Sequence, residues 1–353
     1  MHIIVTGGGT GGHIFPALEI AKEFINTDAR TKITYVGNSG GIEERMAKNC
    51  GFQFFGIKAK KLVGQSFFAQ LKALFVLTLA VLKCAWFLLL HRPHAVIGVG
   101  GYVSAPMIIA SFILRIDRSI CEQNVVPGLA NRLLAHISNR VFASFVESKK
   151  HFPKHTIVTG NPIRKQFFSI EHGAPEKGLK ILVTGGTLGA QFLNREIPKA
   201  LKLLQEHNPD IKVTHQTGKT QVNEVAAHYK EAHIEAQVTQ FIDNMPESFK
   251  RHDLLISRAG ATVSSEIMAS GMPSILVPYR FANAHQRENA LALVKKGAAL
   301  LLEEGDNFAA ELSLKIKNLY DHPEQLKAIS ENAKHLATPH AASSIVKTIT
   351  SNL

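Results

Sequence analysis

The chain has 353 residues, 45% hydrophobic and 19% charged, which is enough for two hydrophobic cores and is the composition of a folded, soluble protein. A formal charge of +12 calls for an anionic partner, but the basic residues lie in small clusters such as Lys58/Lys60/Lys61 and Lys149/Lys150 without a nucleic-acid motif, which argues against nucleic acid. Three cysteines, Cys50, Cys84 and Cys121, with no C-x-x-C spacing argue against a disulfide framework or zinc site and are expected to be reduced and buried.

The first element is a short apolar strand, Ile3-Ile4-Val5, with no basic leader ahead of it, which reads as cytoplasmic. It runs into Thr6-Gly7-Gly8-Gly9-Thr10-Gly11-Gly12-His13, after which Ala17, Ile20, Ala21 and Phe24 recur at helical spacing. A strand, a glycine turn and a helix bring backbone N–H groups and a helix N-terminus up to an anion, usually a phosphate. The glycines satisfy G-x-G-x-x-G, yet the second strand, Ile33-Thr34-Tyr35-Val36, ends in Gly37-Asn38-Ser39 without the carboxylate that holds a nicotinamide ribose. A dehydrogenase is therefore disfavoured. His13 is expected to face the ligand at the start of the helix, where the dipole favours neutral imidazole. It serves there as a proton acceptor, or as a structural cap or phosphate donor.

Phe67 to Leu90 is strongly apolar and approaches the ~20 residues of a membrane span. Lys72 and Lys83 interrupt it, and a span would separate strands of one sheet across a bilayer. Two readings remain: a buried helix pair, or a helix resting its apolar face on a membrane, flanked by Lys60, Lys61, Lys72, Lys83 and Arg92. The strand Ala95 to Val99 then enters a further glycine turn, Gly100-Gly101-Tyr102-Val103-Ser104. Arg118 to Cys121 is a short strand, and Glu122-Gln123-Asn124 at its carboxyl end are expected to point into a ligand crevice. Arg140 to Ala143 is a late strand of the same sheet.

The turn-rich stretch from Gly160 to Gly178 marks a boundary, giving domains at 1–162 and 163–337. Past it, Ile181-Leu182-Val183 repeats the opening pattern into Thr184-Gly185-Gly186-Thr187-Leu188-Gly189-Ala190. Strands follow at Lys212–Thr214, Gln237–Thr239, Leu254–Ser257 and Ser274–Pro278, and the last residues form a terminal helix. Strands alternating with helices predict two α/β domains with parallel sheets, facing each other across a cleft that holds a phosphorylated donor against a second substrate. Arg258-Ala259-Gly260-Ala261-Thr262-Val263-Ser264-Ser265-Glu266 follows a strand, so Glu266 lies one turn into a helix, where a carboxylate suits a ribose diol. Phe241 is placed to cover a base, and Ile242 to offer backbone groups to its edge.

There is no Asp-x-Asp for a metal on a diphosphate, no H-E-x-x-H and no G-x-S-x-G, and Pro153 breaks the metal-like spacing of His151 and His155. A diphosphate leaving group then relies on helix N-termini, backbone N–H groups and cations such as Arg164.

In this order the motifs resemble the MurG family of peptidoglycan glycosyltransferases. Gly8 to His13 with Pro16-Ala17-Leu18, Gly100 to Ser104 with Pro106, and Glu122-Gln123-Asn124 with Pro127-Gly128 and Asn131 carry the resemblance in the first half. Gly160-Asn161-Pro162 with Arg164, Gly185-Gly186 with Gly189-Ala190, Phe241-Ile242-Asp243, Arg258 to Glu266, and His285-Gln286 with Asn289 carry it through the second. The resemblance implies a GT-B fold of two Rossmann-like domains, with a C-terminal helix of about 338–353 crossing back to the first. It implies inverting, metal-independent transfer of N-acetylglucosamine from UDP-N-acetylglucosamine to the C4 hydroxyl of muramic acid in lipid I, with no cofactor. Under it His13 is the base. Thr10, Gly11, Gly12, Asn124, Arg164, Thr187, Ile242, Ala261, Thr262, Val263, Ser264, Ser265, Glu266 and Gln286 bind the donor, and Gly100, Gly101, Tyr102 and Ser104 the acceptor. It places the enzyme peripherally on the anionic cytoplasmic face of the inner membrane, and allows other cell-wall synthesis proteins as partners. The family commonly has serine where Thr187 stands and histidine where Cys121 stands. Alternatives are another UDP-sugar enzyme of this fold with a different acceptor, a UDP-N-acetylglucosamine 2-epimerase, and a nucleotide-binding regulator.

Overall fold

A computed structural model of the chain describes residues 1–57, 67–153, 155–173, 175, 178–186, 189–205, 209–219, 221–280 and 285–353, with the backbone alone for 67–73. The chain divides into two compact units, Met1–Arg164 with His340–Leu353, and Lys165–Pro339.

The first unit alternates strands and helices in the order β1 (His2–Thr6), α1 (Gly11–Thr27), β2 (Lys32–Asn38), α2 (Ile42–Asn49), β3 (Gln53–Ile57), α3 (Phe67–His91), β4 (Ala95–Gly98), α4 (Ser104–Ile113), β5 (Asp117–Glu122), α5 (Leu129–Leu134), β6 (Arg140–Ala143) and β7 (Thr156–Val158). Among the described residues the strands form one sheet in the order β3-β2-β1-β4-β5-β6-β7, with every pair parallel. Side chains on β1 alternate between faces, as strand geometry requires. Ile3 and Val5 pack with Ala17, Ile20, Ala21 and Phe24 of α1, while Ile4 packs with Cys84 and Leu88 of α3 and Met107 and Ile108 of α4.

The strand order reverses at β1 and β4. Thr6 aligns with Val36 on one side and Gly98 on the other, so the loops after β1 and β4 emerge level with each other. In parallel sheets such a reversal opens a crevice at the strands' carboxyl ends.

The apolar segment is one 25-residue helix, not a pair. Ala80, Cys84, Phe87 and Leu88 are buried, while Leu74, Phe75, Leu79, Leu82, Trp86, Leu89 and Leu90 are exposed, Phe75 by 64% and Trp86 by 61%. The two sets follow helical spacing on opposite faces. Lys83 does not break the helix, because its Nζ folds back to donate to Gly56 O at 2.7 Å and lies 5.0 Å from the centre of the Phe55 ring. The side chains of Phe67, Phe68, Leu71 and Lys72, and all of Lys60 and Lys61, lie outside the described residues.

The second unit runs β8 (Leu179–Thr184), α6 (Gln191–Gln205), β9 (Ile211–Gln216), α7 (Val222–Glu231), β10 (Glu235–Thr239), α8 (Met245–Arg251), β11 (Leu254–Ser257), α9 (Ala261–Ser270), β12 (Ser274–Leu276), α10 (His285–Val294), β13 (Leu300–Leu301), α11 (Phe308–Asp321) and α12 (Pro323–His335). Its described strands form a parallel sheet in the order β10-β9-β8-β11-β12-β13. Here the order reverses at β8 and β11, and Thr184 aligns with Gln216 and Ser257. The last helix, α13 (Ala341–Thr350), belongs to the first unit, where Ile345, Val346 and Ile349 join the core formed by α1 and β1.

Candidate active site

In the first unit two glycine turns meet at the switch point. Gly101 has φ +79°, and a Cβ there would overlap the carbonyl of Gly8, so only glycine lets the turns touch. Gly100 has φ +108°, and a Cβ on it would lie 2.6 Å from Nδ1 of His13. The missing side chain is the space that the imidazole fills. Tyr35 donates its hydroxyl to Gly7 O at 2.7 Å, and Asn38 Nδ2 donates to the Tyr102 hydroxyl at 2.9 Å, so β2 braces both turns.

Thr10 caps α1 with extended backbone and no side-chain capping bond, and no acidic residue stands in the first turn. Gly11, Gly12 and His13 form that turn and are half-buried. His13 Nδ1 lies 3.2 Å from Val99 O at the end of β4 and 3.1 Å from Gln123 Oε1 just past β5. Phe15, two residues on, carries the Arg164 guanidinium 5.0 Å above its ring.

The Glu122-Gln123-Asn124 group differs from its expected orientation. Glu122 and Gln123 are buried and turned into the protein. Glu122 accepts from Asn124 N at 2.9 Å, Asn124 Nδ2 at 3.0 Å, Gly128 N at 3.3 Å and Asn131 Nδ2 at 2.9 Å. Four donors on one carboxylate fold the segment into a fixed loop, with Asn124 half-exposed on it. Ser104 is buried as well. Its hydroxyl donates to Thr6 O and Gly100 O and accepts from Gly100 N, locking the turn. Cys121 is buried among apolar residues, and burial pushes its thiol well above the ordinary range, as it pushes Cys84 up to about 12. Cys50 is only half-buried, because it caps the end of α2 near the surface.

In the second unit the level ends of β8, β9, β10 and β11 bring four loops to one edge. Thr187 and Leu188, in the loop after β8, lie outside the described residues. Gln216, at the end of β9, donates through Nε2 to Gly186 O at 3.0 Å and accepts Ile242 N–H at 3.0 Å. It ties the glycine loop to the loop after β10. The N–H of Ile242, expected to meet a base edge, is thus already engaged, and Phe241 beside it is 48% exposed. After β11, Gly260 caps α9 with no side-chain capping bond, and Ala261, Thr262 and Val263 form a first turn free of acidic residues. That helix end favours a negative charge. Ser264, Ser265 and Glu266 are buried one turn further in. Arg258 donates to Val277 O and Pro278 O and pairs with Glu304 at 2.5 Å, which fixes the turn before α9. Gln286 accepts Tyr279 N–H at 2.9 Å.

Sequence reasoning passed over Gln216. It stands at a strand's carboxyl end, as Gln123 does, and that position was the available signal.

Models of the glycosyltransferase family 28 N-terminal domain and C-terminal domain match residues 3–143 and 180–348. A relative from Geobacter sulfurreducens is 38% identical over 98% of this chain and 97% of its own, and one from Myxococcus xanthus is 37% identical over 97% and 90%. Both are named UDP-N-acetylglucosamine–N-acetylmuramyl-(pentapeptide) pyrophosphoryl-undecaprenol N-acetylglucosamine transferase. The crystal structure of Acinetobacter baumannii MurG superposes with a TM-score of 0.80 at 29% identity, covering 99% of both chains. A UDP-GlcNAc 2-epimerase from Neisseria meningitidis shares the fold, with a TM-score of 0.72 over the whole of both chains, at only 16% identity. Two family domains in order, and relatives matched along nearly their full length, establish that this chain, a two-unit α/β protein of the GT-B fold, belongs to glycosyltransferase family 28 and to its MurG glycosyltransferases.

Proposed function

We propose that this chain transfers N-acetylglucosamine from UDP-N-acetylglucosamine to the C4 hydroxyl of the muramic acid in lipid I, with inversion at C1 and without a metal, in cell-wall synthesis. The relatives' names support the substrates. The observation that carries the chemistry is His13, held at a switch point between two glycine turns. In the proposed step His13 takes the hydroxyl proton, the oxygen bonds to C1, and the C1–O bond to UDP breaks with its electrons on the diphosphate. The uncapped first turn of α9 stabilises that charge. Ala261 to Ser265 meet the phosphates, Glu266 the ribose, Ile242 and Thr187 flank the nucleotide, and Gln286 the sugar. Thr10, Gly11 and Gly12 offer an anion site near the donor diphosphate and the acceptor, Gly100, Gly101 and Tyr102 meet the acceptor, and Ser104 acts by holding that turn. UDP release on mixing with UDP-N-acetylglucosamine and a lipid I analogue, undiminished by excess EDTA, is the expected result. Conversion of UDP-N-acetylglucosamine alone to its 2-epimer would overturn the proposal.

The exposed face of α3 supports peripheral attachment to the cytoplasmic face of an anionic membrane. An amphipathic helix anchored in a sheet by its other face rests on a bilayer and does not cross it. Vesicles containing anionic lipid should bind the wild type reversibly. Phe75→Ser with Trp86→Ser should weaken that binding and spare UDP binding; a variant that instead unfolds and loses UDP would make this face part of the core.

A further inference from the structure

The hydrogen bonds around His13 admit a single arrangement of protons. Gln123, 1% exposed, points its amide nitrogen at two carbonyls, Val99 O at 2.9 Å and Cys121 O at 3.4 Å. Flipping the amide would set its oxygen against both of them. The nitrogen end therefore stays there, and Oε1 faces His13 Nδ1 at 3.1 Å. The other partner of Nδ1 is Val99 O, at 3.2 Å. Two oxygens that only accept converge on one ring nitrogen, so that nitrogen must carry the hydrogen. Neutral His13 is then the Nδ1–H form, and its lone pair sits on Nε2. The backbone of Gly100 packs against the Nδ1 edge of the ring, where even a Cβ would collide with it.

We infer that Gln123 is a positioning residue that selects the proton-accepting tautomer of His13. Neutral imidazole in water favours the Nε2–H form, in which the nitrogen turned away from Val99 and Gln123 has no lone pair to offer. The inference rests on the reading of His13 as base. It assigns Gln123 a part in the reaction without contact with either substrate, by the logic that a buried partner of a catalytic histidine sets its tautomer and orientation.

Long-range proton–nitrogen NMR of the full chain labelled with [15N]histidine reads the tautomer directly, at about pH 8.5, above the ordinary imidazole range. The chain has 17 histidines, and the His13 signals are those lost in His13→Gln. In the ligand-free wild type Nδ1 should be protonated and Nε2 bare. Gln123→Met keeps the length and removes one of the two acceptors, leaving Val99 O alone on Nδ1, so the Nε2–H form should appear beside the Nδ1–H form and kcat should fall roughly 5-fold, with the KM for UDP-N-acetylglucosamine unchanged. A wild-type His13 carrying its proton on Nε2 overturns the inference, and does so even where Gln123→Met fails to fold. A tautomer unchanged in folded Gln123→Met overturns it too. Near-normal turnover in His13→Ala beside an Nδ1–H signal in the wild type would instead sink the base and leave the tautomer assignment standing.

Discussion

Each unit carries a glycine loop after its first strand with a histidine close by, and the two histidines have opposite surroundings. His13 is half-buried in the first turn of α1, with both of its described hydrogen bonds at Nδ1. His215, on β9 and paired with Val183 of the strand that enters the second loop, is fully buried, and both ring nitrogens are engaged, by the Tyr229 hydroxyl at 2.9 Å and Asn194 Oδ1 at 3.2 Å. Asn194 gives its nitrogen to Thr217 O and Gln221 Oε1, so its oxygen faces the ring and Nε2 of His215 carries the proton. Burial pushes the pKa of His215 down to about 3. Among the described residues one ring thus keeps a nitrogen clear of the fold's hydrogen bonds, while the other spends both on tying β9 to α6 and α7. A histidine near a phosphate-type loop is reactive or inert according to which of its nitrogens the fold consumes.

Removing the first ring should have the largest effect. His13→Ala is expected to lower kcat by about 10²–10⁴-fold, the usual share of a general base, while UDP affinity holds. Steady-state kinetics with UDP titration checks both, and near-normal kcat would erase the contrast between the rings.

The loops themselves differ in crowding. Gly101 and Gly186 have nearly the same φ, +79° and +82°, but a Cβ at Gly101 meets Gly8 whereas one at Gly186 meets none of the described residues within 4 Å. Gly186→Ala should cost only the left-handed strain, about 1–2 kcal/mol. Gly101→Ala should cost that plus about 1–3 kcal/mol of overpacking. Equal losses in denaturant melts would show that the turns of the first unit are free to part.

The second unit's distinctive carboxylate comes next. Glu266→Ala should weaken UDP binding by about 1.5–3 kcal/mol, the worth of hydrogen bonds to a charged group. Calorimetry with 2′,3′-dideoxy-UDP supplies the control, because that ligand should scarcely notice the mutation. Equal losses for both ligands would make Glu266 a structural carboxylate.

The effect that is smallest per step, though it accumulates over several pH units, is on acid stability. His215 binds its proton below about pH 3 when folded and near 6.5 when unfolded, so between these values the unfolded chain holds the extra proton and stability falls as pH falls. Replacing it by Gln should remove about 1.4 kcal/mol per pH unit from that slope. Urea unfolding at several pH values, followed by circular dichroism, measures it, and an unchanged slope would mean that His215 is protonated in place.

Much of this was legible in the sequence where the signal is local. Ile3-Ile4-Val5 and Ile181-Leu182-Val183 declare buried strands, and the glycines after them declare the turns. The edge strands β3, β7 and β13 escaped notice because Thr156–Val158 and Leu300–Leu301 are too short for a period, and Gly56 interrupts β3. The roles of Gln123 and Gln216 were not legible for another reason. Each depends on which carbonyls and N–H groups neighbouring strands bring together, and those lie 24 to 30 residues away for Gln123 with Val99, Gln216 with Ile242, and Gln216 with Gly186. The exposure of Phe75 and Trp86 was open in the sequence for a related reason, since an apolar run states that a face wants covering and leaves unsaid what covers it.

The return of α13 to the first unit has a consequence for how the protein is made. Residues 165–339 are inserted within the first unit, so the unit whose synthesis begins first is completed last. Throughout translation of the second unit, Ile14, Leu18 and Ala21 of α1 wait for Ile345, Val346 and Ile349, which leave the ribosome only after it. The intervening unit has its whole sequence available before that. A nascent chain stalled before His340 would therefore carry a second unit able to fold beside a first unit with an open apolar groove, a natural handle for chaperones or proteases that survey unfinished proteins.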